Sequence, residues 1–504
     1  MEQPASDGGE TLGHNVSTRR IVHAFSTQLV FRVLGMIASV FTVALTTRHL
    51  GPTSYGHLTT AIVFVGLWTS FTELGIGSVI VRRVTSGTGD LQRLIRVNVG
   101  MSLVYCVPLS VMAAVSGLAI YRDEPEVRAM LLIMVALLAV TTVLSCFEPI
   151  FIARVDFRAA AVSDFLGRLV AFAATGALIA ASAPLIWFAV VQVVPFVVQL
   201  VVQGITAWRT VRFWPVFAYR ESWHLLRESL PQTGVLIIGV LYWRTDGVLL
   251  SLLSTPEEVG VYGLAFTIAF TVSVVSQFFL SSTLSTMTAR FSTDKAAFAV
   301  FVQNSMRTMF LVAAPIAVVG VILAGPVVRL VGSDEFVEVG GPTLALLFVA
   351  VGATFLNGVL GQALFAAHDQ VFLLRLNIAN LVVNIALNLV LIPQYGALGA
   401  GAAMVVAEVT GLVITTWRLQ RKTPYRTPYL RFATVMVPVA CAGGVAALTS
   451  DWSILISGPL AMCVYFAVNL AVGPAKISVI KDLMTGTDDT ATEPADSALE
   501  EAKR

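Results

Sequence analysis

The sequence predicts an all-α polytopic membrane protein with 14 transmembrane helices, in which two six-helix lobes form parallel repeats around a central cavity and two C-terminal helices follow. Composition supports this fold class, because 56% of the 504 residues are hydrophobic, 12% are charged and the mean hydropathy is +0.82. An ordinary water-soluble domain is more polar. The other two observations are a regular series of apolar stretches and a charge alternation between their connections.

Fourteen stretches are long enough to cross a bilayer, whose core of roughly 30 Å requires about 20 apolar residues per helix. The predicted spans are 23–47, 55–80, 97–120, 129–152, 162–182, 185–208, 230–253, 259–284, 302–324, 341–365, 371–392, 396–419, 432–449 and 453–473. Their connections are too short for a folded catalytic domain, which argues against an enzyme. The 4 Cys residues lie within spans and lack ligand spacing, so we expect no metal and no cofactor.

Basic residues lie mainly in alternate connections, and this predicts the orientation because Lys and Arg are retained on the cytoplasmic side. The basic set, which includes both termini, contains Arg82, Arg83, Arg93, Arg96, Arg154, Arg158, Arg168, Arg209, Arg212, Arg220, Arg227, Arg290, Lys295, Arg307, Arg418, Arg421, Lys422, Arg426 and Arg431. The opposite set is short and acidic. Only Arg32 and Arg244 remain inside the apolar stretches. We therefore expect a multi-pass protein of the cytoplasmic membrane with both termini in the cytoplasm.

Two similar turns indicate an internal repeat. The segments LGPTSYG at 50–56 and TPEEVGVYG at 255–263 each place Pro before Tyr-Gly at the entry to an even-numbered helix. A six-helix period predicts parallel repeats, an arrangement found in transporters that rock between two open states. The predicted division is a disordered N-terminus (1–20), an N-lobe (21–208), a cytoplasmic linker (209–229), a C-lobe (230–419), two appended helices (420–473) and a disordered cytoplasmic tail (474–504).

A polar stripe marks the first span. Gln28, Arg32 and Ser39, together with Thr42 and Thr46, fall within an arc of about 80° on a helical projection. A cation at mid-membrane costs roughly 2.5–3.5 kcal/mol, so Arg32 requires a partner or water. Cavity lining is favoured over snorkelling to the cytoplasmic face. A guanidinium in a wet cavity suits a phosphate or pyrophosphate, which it binds bidentately.

Asparagines form a second stripe, on the eleventh span. Asn377, Asn380, Asn384 and Asn388 fall within about 80° of one another on the helical projection. They either line the cavity or make hydrogen bonds between helices, and the sequence does not distinguish these two roles.

The seventh span contains both Arg244 and Asp246. Residues two apart on a helix point about 200° away from each other, so these two are not expected to pair. Asp246 is favoured as the member facing the cavity, where a carboxylate binds Na⁺ or a proton and couples transport to a gradient, or else forms a structural ion pair. Glu408, deep in the twelfth span, is a second and weaker candidate for coupling.

Six segments together resemble the polysaccharide-export branch of the multidrug/oligosaccharidyl-lipid/polysaccharide flippase superfamily. They are RVLG at 32–35, RHLGPTSYG at 48–56, ELGIG at 73–77, RTDGVLL at 244–250, EVGVY at 258–262 and NIALNLVLIPQYGALGA at 384–400. The resemblance covers roughly residues 20–470 and depends on the order and spacing of the segments together.

This resemblance implies a two-lobed core of twelve helices with two additional C-terminal helices, and flipping of undecaprenyl-pyrophosphate-linked oligosaccharide to the outer leaflet. Cationic cavity residues of the family map onto Arg32 and Arg244. The expected partners are that substrate, membrane lipids and Na⁺ or H⁺, with no nucleic acid, and the expected functional state is a monomer. The alternatives are a multidrug antiporter of the multidrug and toxin extrusion type and a lipid II flippase.

Overall fold

The computed structural model describes the backbone of residues 18–154 and 158–471, with side chains from residue 30 onward. Every regular element in these ranges is helical, which confirms the all-α fold class. The helices are α1 (Thr18–Thr69), α2 (Ile76–Thr85), α3 (Leu91–Ile120), α4 (Pro125–Met134), α5 (Ala136–Ser145), α6 (Glu148–Arg154), α7 (Arg158–Ala180), α8 (Ile186–Thr210), α9 (Tyr219–Leu253), α10 (Pro256–Thr271), α11 (Ser273–Thr293), α12 (Lys295–Ile322), α13 (Ala324–Val331), α14 (Val337–Ala366), α15 (Gln370–Lys422), α16 (Tyr429–Leu448) and α17 (Ile454–Ala471).

Twelve helical stretches within the described residues are long and apolar enough to cross a membrane, and two of them are broken at a glycine. Gly51 in α1 has φ 71° and Gly396 in α15 has φ 54°, values that glycine adopts without steric cost. Helix α15 folds back on itself at this break, because a β-carbon on Gly411 would lie 2.8 Å from Nδ2 of Asn380. These residues would be about 46 Å apart in a straight helix. When the two halves of α1 and of α15 are counted separately, the twelve stretches correspond to the fourteen predicted segments.

Two compact units divide the described chain. Unit one combines the residues before Val43 with Trp68–Leu236, and unit two combines Val43–Leu67 with the residues from Ile237 onward. Both α1 and α9 therefore contribute to each unit, whereas the predicted boundaries at 208 and 230 assign each helix to one lobe. Those lobe boundaries stay a prediction.

The connection between α8 and α9 is shorter than expected, because α9 begins inside the predicted linker, at Tyr219. Only residues 211–218 are non-helical, and they are fixed to α3. Arg96 Nε donates to the Trp214 carbonyl at 3.1 Å, and the Val216 amide donates to the Arg96 carbonyl at 3.0 Å. A β-carbon on Gly100 would lie 2.4 Å from the Val216 carbonyl oxygen, so glycine permits this close approach.

The two appended helices pack against α12 in unit two. The Tyr465 hydroxyl of α17 donates to the Leu311 carbonyl at 2.6 Å, and Val435 and Val439 of α16 are buried in an apolar cluster with Val319. This cluster anchors both helices to the main body of the unit.

The two repeated turns contact each other within unit two. A β-carbon on Gly56 would lie 1.7 Å from the carbonyl oxygen of Pro256, and one on Gly260 would lie 2.3 Å from that of Pro52. The glycine of each segment therefore lies against the proline carbonyl of the other segment. Only glycine leaves room for so close an approach, which explains why both segments carry it at this crossing.

Arg168 and Arg307 were assigned to cytoplasmic connections, yet both fall within the bounds of the predicted spans 162–182 and 302–324. Arg168 is the eleventh residue of α7, and Arg307 lies within α12. By these bounds, Arg32 and Arg244 are not the only cations in the predicted spans. The side of the membrane on which Arg168 and Arg307 lie stays a prediction.

Candidate functional site

A polar cluster in unit one joins α1 to α7. Arg168 Nε donates to both carboxylate oxygens of Asp164, four residues earlier, at 3.1 and 3.0 Å. Its Nη1 donates to the Ser39 hydroxyl of α1 at 2.6 Å. Gln199 of α8 donates to Asp164 at 3.4 Å. The guanidinium is thus partly neutralised while its side chain remains 37% exposed.

Glycine and aromatic side chains position this cluster. A β-carbon on Gly35 would lie 3.0 Å from Cδ of Arg168, so glycine leaves room for the arginine against α1. Phe31 packs on Phe165 with ring centroids 5.6 Å apart, and Phe41 packs on Phe172 at 6.4 Å. The polar stripe predicted on the first span therefore faces α7 at Gly35 and Ser39.

Arg32 is exposed and lies one turn before Gly35 on α1. Gln28 lies on the same helix, but its side chain is outside the described residues. A role of either residue in substrate binding stays a prediction.

A buried carboxylate forms the first cluster in unit two. Asp246 is 2% exposed, and its Oδ1 accepts from Asn388 Nδ2 at 3.0 Å while its Oδ2 accepts from the Tyr262 hydroxyl at 3.3 Å. Asn388 Nδ2 also donates to Asn384 Oδ1 at 3.0 Å. Within the described residues, Asn388 Oδ1 is buried and has no hydrogen-bond partner. The interactions seen for Asn384 and Asn388 are hydrogen bonds inside the protein.

A second buried carboxylate lies nearby on α15. Glu408 is 4% exposed, and its Oε1 accepts from the Tyr242 hydroxyl at 2.9 Å while its Oε2 accepts from Asn357 Nδ2 at 2.8 Å. Tyr242 precedes Asp246 by one helical turn. The donor to Glu408 and the Asp246 carboxylate therefore lie on the same face of α9. No cation of the described chain contacts either carboxylate, and both rely on neutral donors. Such an arrangement can accept a proton or a monovalent cation.

Arg244 lies apart from both carboxylates. Its Nε would be 3.3 Å from a β-carbon on Gly66, so the guanidinium lies against the second half of α1. It lines two cavities of about 70 and 370 Å³. It makes no ion pair or hydrogen bond with any residue that the structure describes. A cation in this situation can bind an anionic ligand.

Sequence reasoning missed two parts of this arrangement. The Asp164–Arg168 pair has the i,i+4 spacing of a helical ion pair and falls within a predicted span, so that spacing was the available signal. The partners of Glu408 come from α9 and α14, far away in the sequence, and no local pattern indicates them. The separation of Arg244 from Asp246 agrees with the helical geometry.

Comparisons with known proteins identify the family and the fold. A model described as "Polysaccharide biosynthesis protein" matches residues 22–291, and a MatE model matches residues 231–390. No curated protein matches the sequence significantly.

Among solved structures, a lipid II flippase in an inward closed conformation is 13% identical with a TM-score of 0.75, and the match covers 89% of this chain and 98% of that one. An inward-facing multidrug resistance transporter is 14% identical with a TM-score of 0.58, covering 80% and 98%. A Vibrio cholerae transporter of this type is also 14% identical with a TM-score of 0.54, covering 80% and 97%.

The TM-scores of these matches show a shared fold. The polysaccharide biosynthesis model matches more than half of the sequence. The chain belongs to the polysaccharide biosynthesis protein family, within the multidrug/oligosaccharidyl-lipid/polysaccharide flippase superfamily that its motifs resemble.

Proposed function

We propose that this protein flips a polyprenyl-pyrophosphate-linked oligosaccharide across the cytoplasmic membrane by alternating access, for export of a cell-surface polysaccharide. The observation that carries this proposal is Arg244, a guanidinium that lines a cavity of about 370 Å³ and has no anionic partner among the described residues. The family description, which names polysaccharide biosynthesis, supports the same substrate class.

The chemistry of Arg244 favours a pyrophosphate. A membrane-embedded cation costs roughly 2.5–3.5 kcal/mol, so its presence without a carboxylate requires compensation by water or a ligand. A planar guanidinium binds phosphate oxygens bidentately, which an ammonium group does not. Arg32 of unit one has the same chemistry, and a role in substrate binding is proposed for it separately.

Asp246 is proposed as the residue that couples transport to an ion gradient. Its carboxylate lies beside the buried Oδ1 of Asn388, an acceptor with no partner in the described chain. Oxygen acceptors gathered without a cationic side chain suit Na⁺, and a carboxylate alone suits H⁺. Measuring transport against a Na⁺ gradient at fixed pH, and against a pH gradient without Na⁺, distinguishes these two ions.

Substitution of Arg244 tests the function in cells. A strain that lacks the chromosomal gene is complemented with wild type, Arg244→Ala, Arg244→Lys, or Arg122→Ala as a control on an exposed arginine. Surface polysaccharide should fall at least about tenfold with Arg244→Ala and partly with Arg244→Lys, because loss of a hydrogen-bonded charge costs about 1.5–3 kcal/mol. Normal export by Arg244→Ala, at equal protein level, would contradict the proposal. Normal export by an Arg32→Ala variant would contradict the role proposed for Arg32.

A second candidate function is antiport of cationic compounds. Two buried carboxylates without a cationic partner in the described chain favour it, and the MatE model matches the region that contains Asp246. Drug-resistance profiles of the deletion strain test this candidate, since increased sensitivity to cationic drugs with normal polysaccharide would support antiport. Rescue of cells depleted of their lipid II flippase would instead identify lipid II as the substrate.

A further inference from the structure

A cavity of about 250 Å³ with several polar groups in its lining lies between α9, α14 and α15 in unit two. These polar groups include Glu408, which accepts hydrogen bonds from Tyr242 and Asn357, and also Asn377 and Asn380 from the asparagine stripe. The two asparagines make no hydrogen bond to the described residues. The asparagine stripe therefore has two parts along α15. Asn384 and Asn388 interact with Asp246, whereas Asn377 and Asn380 line the cavity.

These groups have the chemistry of a carbohydrate site. Sugar hydroxyls donate and accept, and the cavity offers carboxylate acceptors together with amides that do both. Trp243 also lines the cavity and provides an aromatic face. The volume is below the range of roughly 300–1,000 Å³ that is typical of drug-sized ligands, which suits a single sugar ring.

A second cavity, lined by Arg244, adjoins this one. The neighbouring space of about 370 Å³ shares Trp243, Thr354 and Gly358 with it, and Arg244 lines that neighbouring space. A ligand that places phosphate on Arg244 would thus place the group attached to the phosphate against Trp243 and Glu408.

We infer that the cavity lined by Glu408, Asn377 and Asn380 is a subsite for the sugar joined to the pyrophosphate of the substrate, bound through its hydroxyl groups. This inference rests on the proposed function. A site built to hydrogen-bond hydroxyls rejects analogues that lack them, so the subsite would select substrates that carry a glycan over the bare lipid diphosphate.

Binding of two matched probes tests the subsite. Full-length protein in phosphatidylglycerol-containing nanodiscs is titrated with a short-chain polyprenyl diphosphate, with or without one N-acetylhexosamine. Wild type should bind the sugar-bearing probe at least about tenfold more tightly. Asn380→Ala and Glu408→Gln should each reduce that ratio severalfold and leave affinity for the sugar-free probe unchanged. Asn304→Ala, an exposed amide elsewhere in unit two, should change neither value.

Each other outcome has a defined meaning. Equal affinity of wild type for both probes would overturn the subsite and leave the proposed function standing. Equal weakening of both probes by Glu408→Gln, with loss of ion dependence, would assign Glu408 to coupling instead. Failure of wild type to bind either probe would overturn the proposed function itself. If Glu408→Gln is misfolded by size-exclusion chromatography, Asn380→Ala decides, because no described hydrogen bond is lost with it.

Discussion

The crossing of the two repeated turns gives the sharpest stability prediction. Substitution of Gly56 by Ala adds a β-carbon 1.7 Å from the Pro256 carbonyl oxygen, whereas real β-carbons essentially never approach closer than 3.0 Å. The backbones must separate by at least about 1.3 Å, which should cost the upper end of the roughly 1–3 kcal/mol typical of overpacking, or more. Because alanine otherwise favours a helix by about 1 kcal/mol over glycine, the loss reflects the crossing alone.

Thermal unfolding of the purified protein in detergent measures this loss. The matched control is Gly361→Ala, at a helical glycine with no heavy atom within 4 Å of the new β-carbon, and it should be neutral or stabilising. A Gly56→Ala protein that melts no lower than the Gly361→Ala protein would refute the reasoning, and with it the placement of the two turns.

Three further predictions concern charged groups. Asp246→Asn should abolish the ion dependence of transport while the protein remains folded, as measured by gradient-driven flux; unchanged ion dependence would remove Asp246 from coupling. A double-mutant cycle of Arg168→Ala with Asp164→Ala should give a coupling of only about 0.5 kcal/mol, because both side chains are about one-third exposed; a value near 3 kcal/mol would show a buried pair. The hydrogen bond from Arg418, at 2.7 Å, lowers the pKa of Asp369 below its usual value, so the pair stabilises the protein above the unfolded pKa of about 3.9 and that stability is lost as the pH falls through the folded pKa. The melting temperature of wild type should therefore exceed that of Asp369→Asn at pH 7, and the difference should shrink as the pH falls below the unfolded pKa of about 3.9, whereas a constant difference would contradict this assignment.

Hydropathy and helical geometry predicted the helical fold, the fourteen segments and the separation of Arg244 from Asp246. These features follow from local sequence, because a helix satisfies its own backbone hydrogen bonds and each span must be apolar. The break at Gly396 was also predictable, since the two spans on either side of it were recognised separately.

Contacts between distant helices were not predictable in the same way. The asparagine stripe was identified, but its division between Asp246 and the polar cavity depends on how α9 lies against α15. The hydrogen bond between Arg168 and Ser39 joins α7 to α1, and no local pattern in the sequence indicates it. Pairwise packing, which a single sequence does not reveal, determines both outcomes.

Transport by the purified protein tests the central claim most directly. Proteoliposomes that contain full-length protein are loaded on one leaflet with a fluorescent polyprenyl-diphosphate glycan, and its appearance in the other leaflet is followed by quenching. Wild type should accelerate this exchange over empty liposomes, and Arg244→Ala should reduce the rate at least about tenfold. Folded wild-type protein that does not accelerate movement of any such glycan, or an Arg244→Ala variant that moves it at the wild-type rate, would contradict the proposed function.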